Sequence, residues 1–357
     1  MKYQYAVERV LDHFPDRTPQ HVITFLRRAT FVNIAKRYMY YAVPKAACTQ
    51  MRELLRRLEN APPIKLFADG DWQTRRDMFI HARSNVPLPS LVDLDNRTQR
   101  EVLESPDFLR LTVVRNPYTR LVSAWKNKVI LCEPSVKGEY CDIKDGLPDV
   151  HTKSLVTFDE FVEYATKRCD LRTCDGHWRR QVDYTFFPAM NFSYVGKLEH
   201  FEDVLRRLER HLGLSEFLVA ERRNRSISFG GSPYTKELAD KVYTLYQADF
   251  EVLEYDRNTW PDRQKSQKDS TNSGVSLDEF VNEIIERNLI ISSLYEENGR
   301  LKAQLRWVLR LHLAFAFDGP FALHSISRRA VRKIGRWARR VYRRRGPMET
   351  INAFRGS

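Results

Sequence analysis

With 357 residues the chain has room for one large domain plus extensions, and 42% hydrophobic residues suffice for a substantial core. A charged fraction of 29% is ordinary for a soluble chain, and five cysteines are too few for a disulfide scaffold at this length. The net charge of +13 points to nucleic acid or membrane, yet ten basic and no acidic residues lie between Arg328 and Arg345; without them +3 remains, so the basicity belongs to a tail and the body has no nucleic-acid signature.

Residues 1–36 read as a helical lead-in and lack the apolar stretch of a secretory signal. Residues 38–58, YMYYAVPKAACTQMRELLRRL, read as strand, tight loop and helix. The segment 38–43 is aromatic and β-branched enough for a buried strand. Pro44 ends it, having no N–H for a ladder. Lys45, Ala46, Ala47 and Cys48 form a loop of small side chains with one cation. Thr49 is the expected helix cap, and Met51, Leu54, Leu55 and Leu58 recur at helical spacing. A strand turning directly into a helix aims backbone N–H groups and the positive end of the helix dipole at the loop. The segment therefore predicts an anion cradle, for a phosphate. It lacks both glycines of a Walker loop, GxxxxGK[ST]. Taken alone, it also reads as an ordinary strand-to-helix turn.

Residues 60–71 form a surface link, 84–89 a loop and 91–103 a helix. A second dense stretch follows at 108–129, FLRLTVVRNPYTRLVSAWKNKV. Residues 108–114 predict a buried strand. Pro117 suits the first turn of the next helix, whose apolar stripe is Leu121, Val122, Trp125 and Val129. Arg115 at the strand end and Ser123 two turns into the helix put a cation and a hydroxyl at a strand-to-helix crossing, where open α/β sheets bind ligands. Residues 130–155 are loop-rich. Thr157 and Glu160 form a capping box for a helix over 158–167. The motif DGHWRRQ spans 175–181, a short strand 192–196 and an amphipathic helix 200–211. An arginine-bearing loop with Gly230 and Gly231 precedes a helix running from Pro233 to about residue 250. Cys132 with Cys141, or Cys169 with Cys174, would pair in an oxidising compartment; reduced thiols are the simpler state. Nothing in the cysteine spacing matches a zinc site, and no metal is expected.

The division expected is a domain over 1–260, a polar linker over 261–276, a coiled-coil helix over 277–308 and a basic amphipathic tail over 309–357. Leu277, Phe280, Ile284, Ile291, Leu294, Leu301, Leu305 and Val308 fall on heptad a and d positions, with Asn298 at an a position that would fix the register of a homodimer. The tail sets Val331, Ile334, Trp337, Ala338 and Val341 on one face among arginines, a pattern suited to an anionic membrane surface. The apolar window over 307–323 is interrupted by Arg310, His312, Asp318 and Pro320 and is a poor membrane span.

The two crossings together resemble a known pair. PKAACTQMRELL is similar to the 5′-phosphosulfate loop, and VVRNPYTRLVSAWKNKV to the 3′-phosphate motif, of sulfotransferases that use 3′-phosphoadenosine-5′-phosphosulfate. RNPYTRLVSAW resembles most the Golgi carbohydrate sulfotransferases and their bacterial relatives. DGHWRRQ, YVGKLEHFED and LYQADFEVLEYD follow in that family's order, and the resemblance covers residues 36–257. It implies an α/β, P-loop-like three-layer fold with a central parallel sheet, to which this chain adds a C-terminal helical extension. It also implies roles. Lys45 would hold the phosphosulfate, the backbone N–H groups of Ala46, Ala47, Cys48, Thr49 and Gln50 would cradle its phosphate, and Arg115 and Ser123 would bind the 3′-phosphate. His81, between the two motifs, is the expected catalytic base, with His177 second. The acceptor would be a hydroxyl of a carbohydrate or glycolipid, with Trp125, Trp178 and Tyr184 available to stack on sugars. The tail outside the resemblance and the lack of an N-terminal anchor lead to the expectation of a cytoplasmic enzyme, peripheral at the inner membrane. The rival readings are an ATP- and Mg²⁺-dependent phosphotransferase of the kinase type, which no Walker loop supports, and a non-catalytic dimeric scaffold with a membrane- or RNA-binding tail.

Overall fold

The computed structural model describes residues 3–62, 85–130, 156–214 and 232–261, and Arg300. Residues 1–131 and 138–282 form one compact unit, and residues 132–137 with 283–357 a second. The heptad run and the basic tail lie outside the described residues, apart from Arg300.

Two helices lead in: α1 (Tyr5–His13) and α2 (Pro19–Ala29). Thr18 caps α2 by accepting from the His21 N–H, and Pro19 takes the first turn, where its missing N–H costs nothing. The lead-in is not helical throughout, contrary to the sequence reading. At Thr30 the chain turns into strand β1 (Thr30–Asn33), a β-branched and aromatic run in which all four residues are buried.

Four strands make one sheet in the order β1-β2-β3-β4, with β2 Tyr38–Tyr41, β3 Leu109–Val114 and β4 Tyr194–Lys197. β2 pairs with β3 and β3 with β4 in parallel, Tyr41 opposite Thr112 and Val114 opposite Lys197. β1 pairs antiparallel with β2, Thr30 opposite Tyr41. The sheet is therefore mixed, and the expectation of a parallel sheet holds for the two pairings among β2, β3 and β4 but not for the β1 edge. A short hairpin-like return from β1 to β2 needs no crossover, so it can only be antiparallel.

Successive side chains of a strand point to opposite faces. Met39 and Tyr41 join Val7, Val10, Val22 and Leu26 of α1 and α2 in one cluster. Tyr38 and Tyr40, with Leu109, Leu111 and Val113 of β3, join the other face. There they meet Met51, Leu54 and Leu55 of α3 (Cys48–Leu58) and Val204, Leu205 and Leu208 of a helix, Phe201–Leu212, that follows β4. Helices thus cover both faces, giving three layers.

The helix expected over 91–103 is two elements, a 3₁₀ turn Leu91–Asp93 and α4 (Asn96–Glu104). Asp95 separates them by accepting from the Thr98 N–H as a new cap. α5 (Pro117–Ala124) starts at Pro117 as read from sequence, with Asn116 capping Tyr118. α6 (Phe158–Arg168) carries the reciprocal Thr157–Glu160 capping box. α7 (Gln181–Tyr184) is a single turn, α8 is the helix Phe201–Leu212, and α9 (Lys236–Val252) is capped by Thr235. Among the described residues no helix is long and apolar enough to cross a membrane.

Candidate functional site

Because β2, β3 and β4 run in parallel, their C-terminal ends lie along one edge of the sheet. Three loops leave that edge or pack against it. The first follows β2. Lys45 and Ala47 take left-handed backbone conformations, φ +65° and +58°, without being glycine. Such residues cost about 1–2 kcal/mol each, so surrounding structure must hold the loop in shape. Ala46 is fully buried, and its N–H donates to the Val43 carbonyl at 3.3 Å. Helix α3 begins at Cys48 behind Ala47, with no side-chain cap and no acid in its first turn. Thr49 therefore lies inside the helix, 7% exposed, and does not cap it; the left-handed Ala47 stands where the cap belongs. Gln50 follows in the same turn.

The second loop follows β3. Arg115 is fixed at its backbone by a two-way pair with one side chain: its N–H donates to Gln181 Oε1 at 2.9 Å, and Gln181 Nε2 donates to its carbonyl at 2.8 Å. Its guanidinium donates from Nε to Thr119 Oγ1 at 3.0 Å and from Nη1 to the Lys45 carbonyl at 3.4 Å. Burial lowers the guanidinium's pKa, and Glu199 opposes that shift. Ser123 is buried in α5. The helix then widens into a π-helical turn, Trp125–Val129, a distortion often found at functional sites. This turn returns to the first loop, since Lys45 Nζ donates to Asn127 Oδ1 at 3.0 Å. It also carries Lys126, whose pKa burial lowers, and the buried Lys128.

The third loop is DGHWRRQ. Arg120 of α5, 1% exposed, ties it to the first. Its guanidinium donates to the carbonyls of Pro44 at 3.1 Å, Arg179 at 2.7 Å and Gly176 at 2.8 Å. Gly176 is needed here because a Cβ would lie 2.6 Å from a Tyr184 ring carbon and 3.7 Å from the Pro44 ring. His177 then follows Gly176 as Lys45 follows Pro44. Asp175 Oδ1 accepts from the His177 backbone N–H at 2.8 Å and lies 2.6 Å from ring Nδ1. Burial lowers the pKa of His177 and the Asp175 carboxylate raises it, while Lys128 and Lys45 lower it further.

The structure thus brings Lys45, Ala46, Ala47, Cys48, Arg115 and the His177 loop to one edge. His81 lies outside the described residues, as does the arginine-bearing loop with Gly230 and Gly231. Two of the three aromatic residues proposed for sugar stacking, Trp178 and Tyr184, are buried and not available for it. Trp178 has no exposed surface and meets Phe161 edge to face at 5.5 Å, and Tyr184 is buried against Tyr41. Trp125 is half-buried, stacked at a tilt on Phe158, with its indole N–H donating to the Val156 carbonyl at 2.9 Å. Cys48, Cys169 and Cys174 are not joined in disulfides; burial pushes the Cys174 thiol up to about 12. The sequence reading missed Asn127, Arg120, Gln181 and Asp249. Asp249, buried in α9, accepts from the Gln181 and Val182 N–H groups at 2.8 and 2.9 Å and so holds the side chain that holds Arg115. The stretch ADFEVL carries two acids, Asp249 and the exposed Glu251, and nothing in the sequence says which of them is buried.

A family model described as the sulfotransferase family matches residues 28–256. The chain belongs to that family. The match spans all three loops, and the resemblance read from the two crossings is borne out. Carbohydrate sulfotransferase 12 of Xenopus laevis is 21% identical over 277 residues, covering 70% of this chain and 63% of that protein. Carbohydrate sulfotransferase 10 of Xenopus laevis is 22% identical, covering 66% and 70%. Carbohydrate sulfotransferase 14 of Danio rerio is 27% identical over 186 residues, covering 50% and 47%. This sulfotransferase-family chain therefore spans about half to 70% of the curated relatives it matches. No solved structure matches it.

Proposed function

We propose that the chain transfers a sulfuryl group from 3′-phosphoadenosine-5′-phosphosulfate to a hydroxyl of a carbohydrate or glycolipid. The observation that carries this reading is the meeting of two cationic loops at one sheet edge, where the Arg115 guanidinium reaches the Lys45 carbonyl at 3.4 Å. A donor with phosphate at both ends of its ribose needs two such sites a short distance apart. The names of the relatives supply the carbohydrate acceptor.

In this reading the loop backbone and the start of α3 hold the phosphosulfate, and Lys45 offsets the negative charge that grows on the leaving phosphate oxygen. One preorganised donor of this kind is worth about 10²–10³ in rate. Arg115 and Ser123 take the 3′-phosphate. The acceptor oxygen attacks sulfur as the bond to the phosphate oxygen breaks. The heptad run over 277–308 would pair two chains and the tail over 309–357 would rest on anionic lipid at the cytoplasmic side; both rest on sequence pattern alone.

Calorimetric titration with adenosine 3′,5′-bisphosphate, 5′-AMP and ATP with Mg²⁺ tests the reading. Wild type should prefer the bisphosphate. Arg115→Ala should weaken it by roughly 10- to 100-fold, the loss of charge-assisted hydrogen bonds, and leave 5′-AMP nearly unchanged. Preference for ATP with Mg²⁺ would replace this reading with a phosphotransferase.

A further inference from the structure

The reaction needs a group that takes the acceptor's proton, and the described residues hold one histidine built for that. We propose that His177, held by Asp175, is the general base that removes the acceptor proton; the inference rests on the sulfotransferase reading above.

The placement is geometric. Arg120 grips the Pro44 and Gly176 carbonyls with one guanidinium, and the Pro44 ring lies within van der Waals reach of the Gly176 position. The next residue on each side is Lys45 and His177. The lysine that would meet the leaving oxygen and the imidazole thus project from adjoining backbone segments. The His177 side chain is 20% exposed, so it is neither sealed in the core nor loose in solvent.

The other described histidines do not share this setting. His211 Nε2 bonds the Arg37 carbonyl at 2.9 Å, and Arg37 precedes β2, at the opposite end of the sheet. His21 stacks on Phe25 at 4.7 Å, and His13 bonds a carbonyl of its own helix. His200 is exposed ahead of α8.

Orientation and charge complete the case. With Asp175 accepting from Nδ1–H, the lone pair of the neutral ring stands at Nε2. The charged groups acting on the ring are Asp175 from its own loop, Lys45 from the first loop and Lys128 from the π-turn. Burial and the two lysines favour the neutral ring, which is the form a base requires. In the transfer, the acceptor O–H proton passes to Nε2 while the oxygen forms its bond to sulfur. The electron pair of the breaking sulfur–oxygen bond stays on the phosphate, and the imidazolium later returns its proton to water. Asp175 is a positioning residue: it fixes the tautomer and steadies the imidazolium.

The test uses the full chain with labelled donor, counting transfer to a pool of unsulfated oligosaccharides together with slow hydrolysis of the donor by water. His177→Asn should keep bisphosphate affinity within about threefold and an unchanged melting temperature. Turnover should fall by roughly 10²–10⁴, with the acid limb of its pH profile gone. His177→Ala should regain turnover with added imidazole. Asp175→Asn should move the acid limb to lower pH, because the carboxylate that favours the imidazolium is lost. A His177→Asn chain that binds the bisphosphate and turns over with the wild-type pH profile would overturn the proposal and leave the sulfotransferase reading standing. A His177→Asn chain that loses bisphosphate affinity as steeply as turnover would overturn it in favour of a donor-holding role. A wild type that prefers ATP with Mg²⁺ would remove both readings.

Discussion

The two strand-to-helix crossings sit side by side on neighbouring parallel strands, yet they are built to bind by different means. The crossing after β2 works through backbone. Its side chains are small, two of its residues take left-handed conformations, and its helix starts without a side-chain cap. The crossing after β3 works through side chains. Asn116 takes the Tyr118 N–H and Pro117 has none, so the first two helical positions offer no N–H to a ligand, and the charge is carried by the Arg115 guanidinium. A backbone cradle fits any phosphate that reaches it, whereas a guanidinium pinned at its backbone selects by position. Selectivity for a 3′-phosphate should therefore reside in the second crossing and chemistry in the first.

Arg120 is where the two crossings depend on each other. It belongs to the helix of the second and grips the loop of the first, and three carbonyls lose their donor if it goes. Arg120→Met keeps the length and most of the volume but cannot donate. A buried acceptor left without its donor costs about 1–3 kcal/mol, so the loss of three such bonds comes to at least about 3 kcal/mol. In a protein of this size that is a melting-temperature drop of roughly 10 °C. Thermal unfolding checks it. An Arg120→Met chain with unchanged melting temperature and unchanged bisphosphate affinity would show that the two crossings stand independently.

Lys45→Ala separates binding from chemistry. Turnover should fall about 10²–10³-fold, or roughly 3–4 kcal/mol of transition-state stabilisation. Bisphosphate affinity should change by only about threefold, because the bisphosphate lacks the sulfuryl group and the backbone cradle is kept. The paired measurement is turnover against calorimetric affinity. Equal losses in both would mean that Lys45 holds the donor in its ground state, and the division of labour between the crossings would be wrong.

How much of this was legible in the sequence follows from distance along the chain. Each crossing is local: Pro44 after an aromatic run and Pro117 after a β-branched one mark their own strand ends, and the capping pair Thr157 and Glu160 marks α6. The strand β1 was missed because it follows α2 with no Gly or Pro between them, and only its pairing with β2 makes TFVN a strand. Trp178 looked like a sugar platform because its neighbours are polar; Phe161, 17 residues earlier, is what covers it. Thr49 looked like a cap because capping residue types are the usual signal, and a left-handed alanine carries none. Arg120, Gln181 and Asp249 act across 56 to 76 residues, where no spacing rule reaches.

Asp249 offers the finest test of the comparison, because it acts on the second crossing without touching it. Both its oxygens accept backbone N–H groups at the start of α7, and α7 begins with Gln181, whose amide brackets Arg115. Burial raises its pKa, while those two N–H groups and Arg120 pull it down. Asp249→Asn keeps the shape but turns an NH₂ towards one of the two N–H donors, leaving a donor facing a donor. The cost of a buried unsatisfied group is about 1–3 kcal/mol. If Arg115 is positioned through this relay, Asp249→Asn should weaken bisphosphate binding by less than Arg115→Ala does, leave 5′-AMP binding unchanged, and add little when the two substitutions are combined. A double-mutant cycle read by calorimetry gives the answer. Full additivity would mean that Asp249 supports the fold alone, and that Arg115 is held well enough by Thr119 and the Lys45 carbonyl to select its phosphate without help from α9.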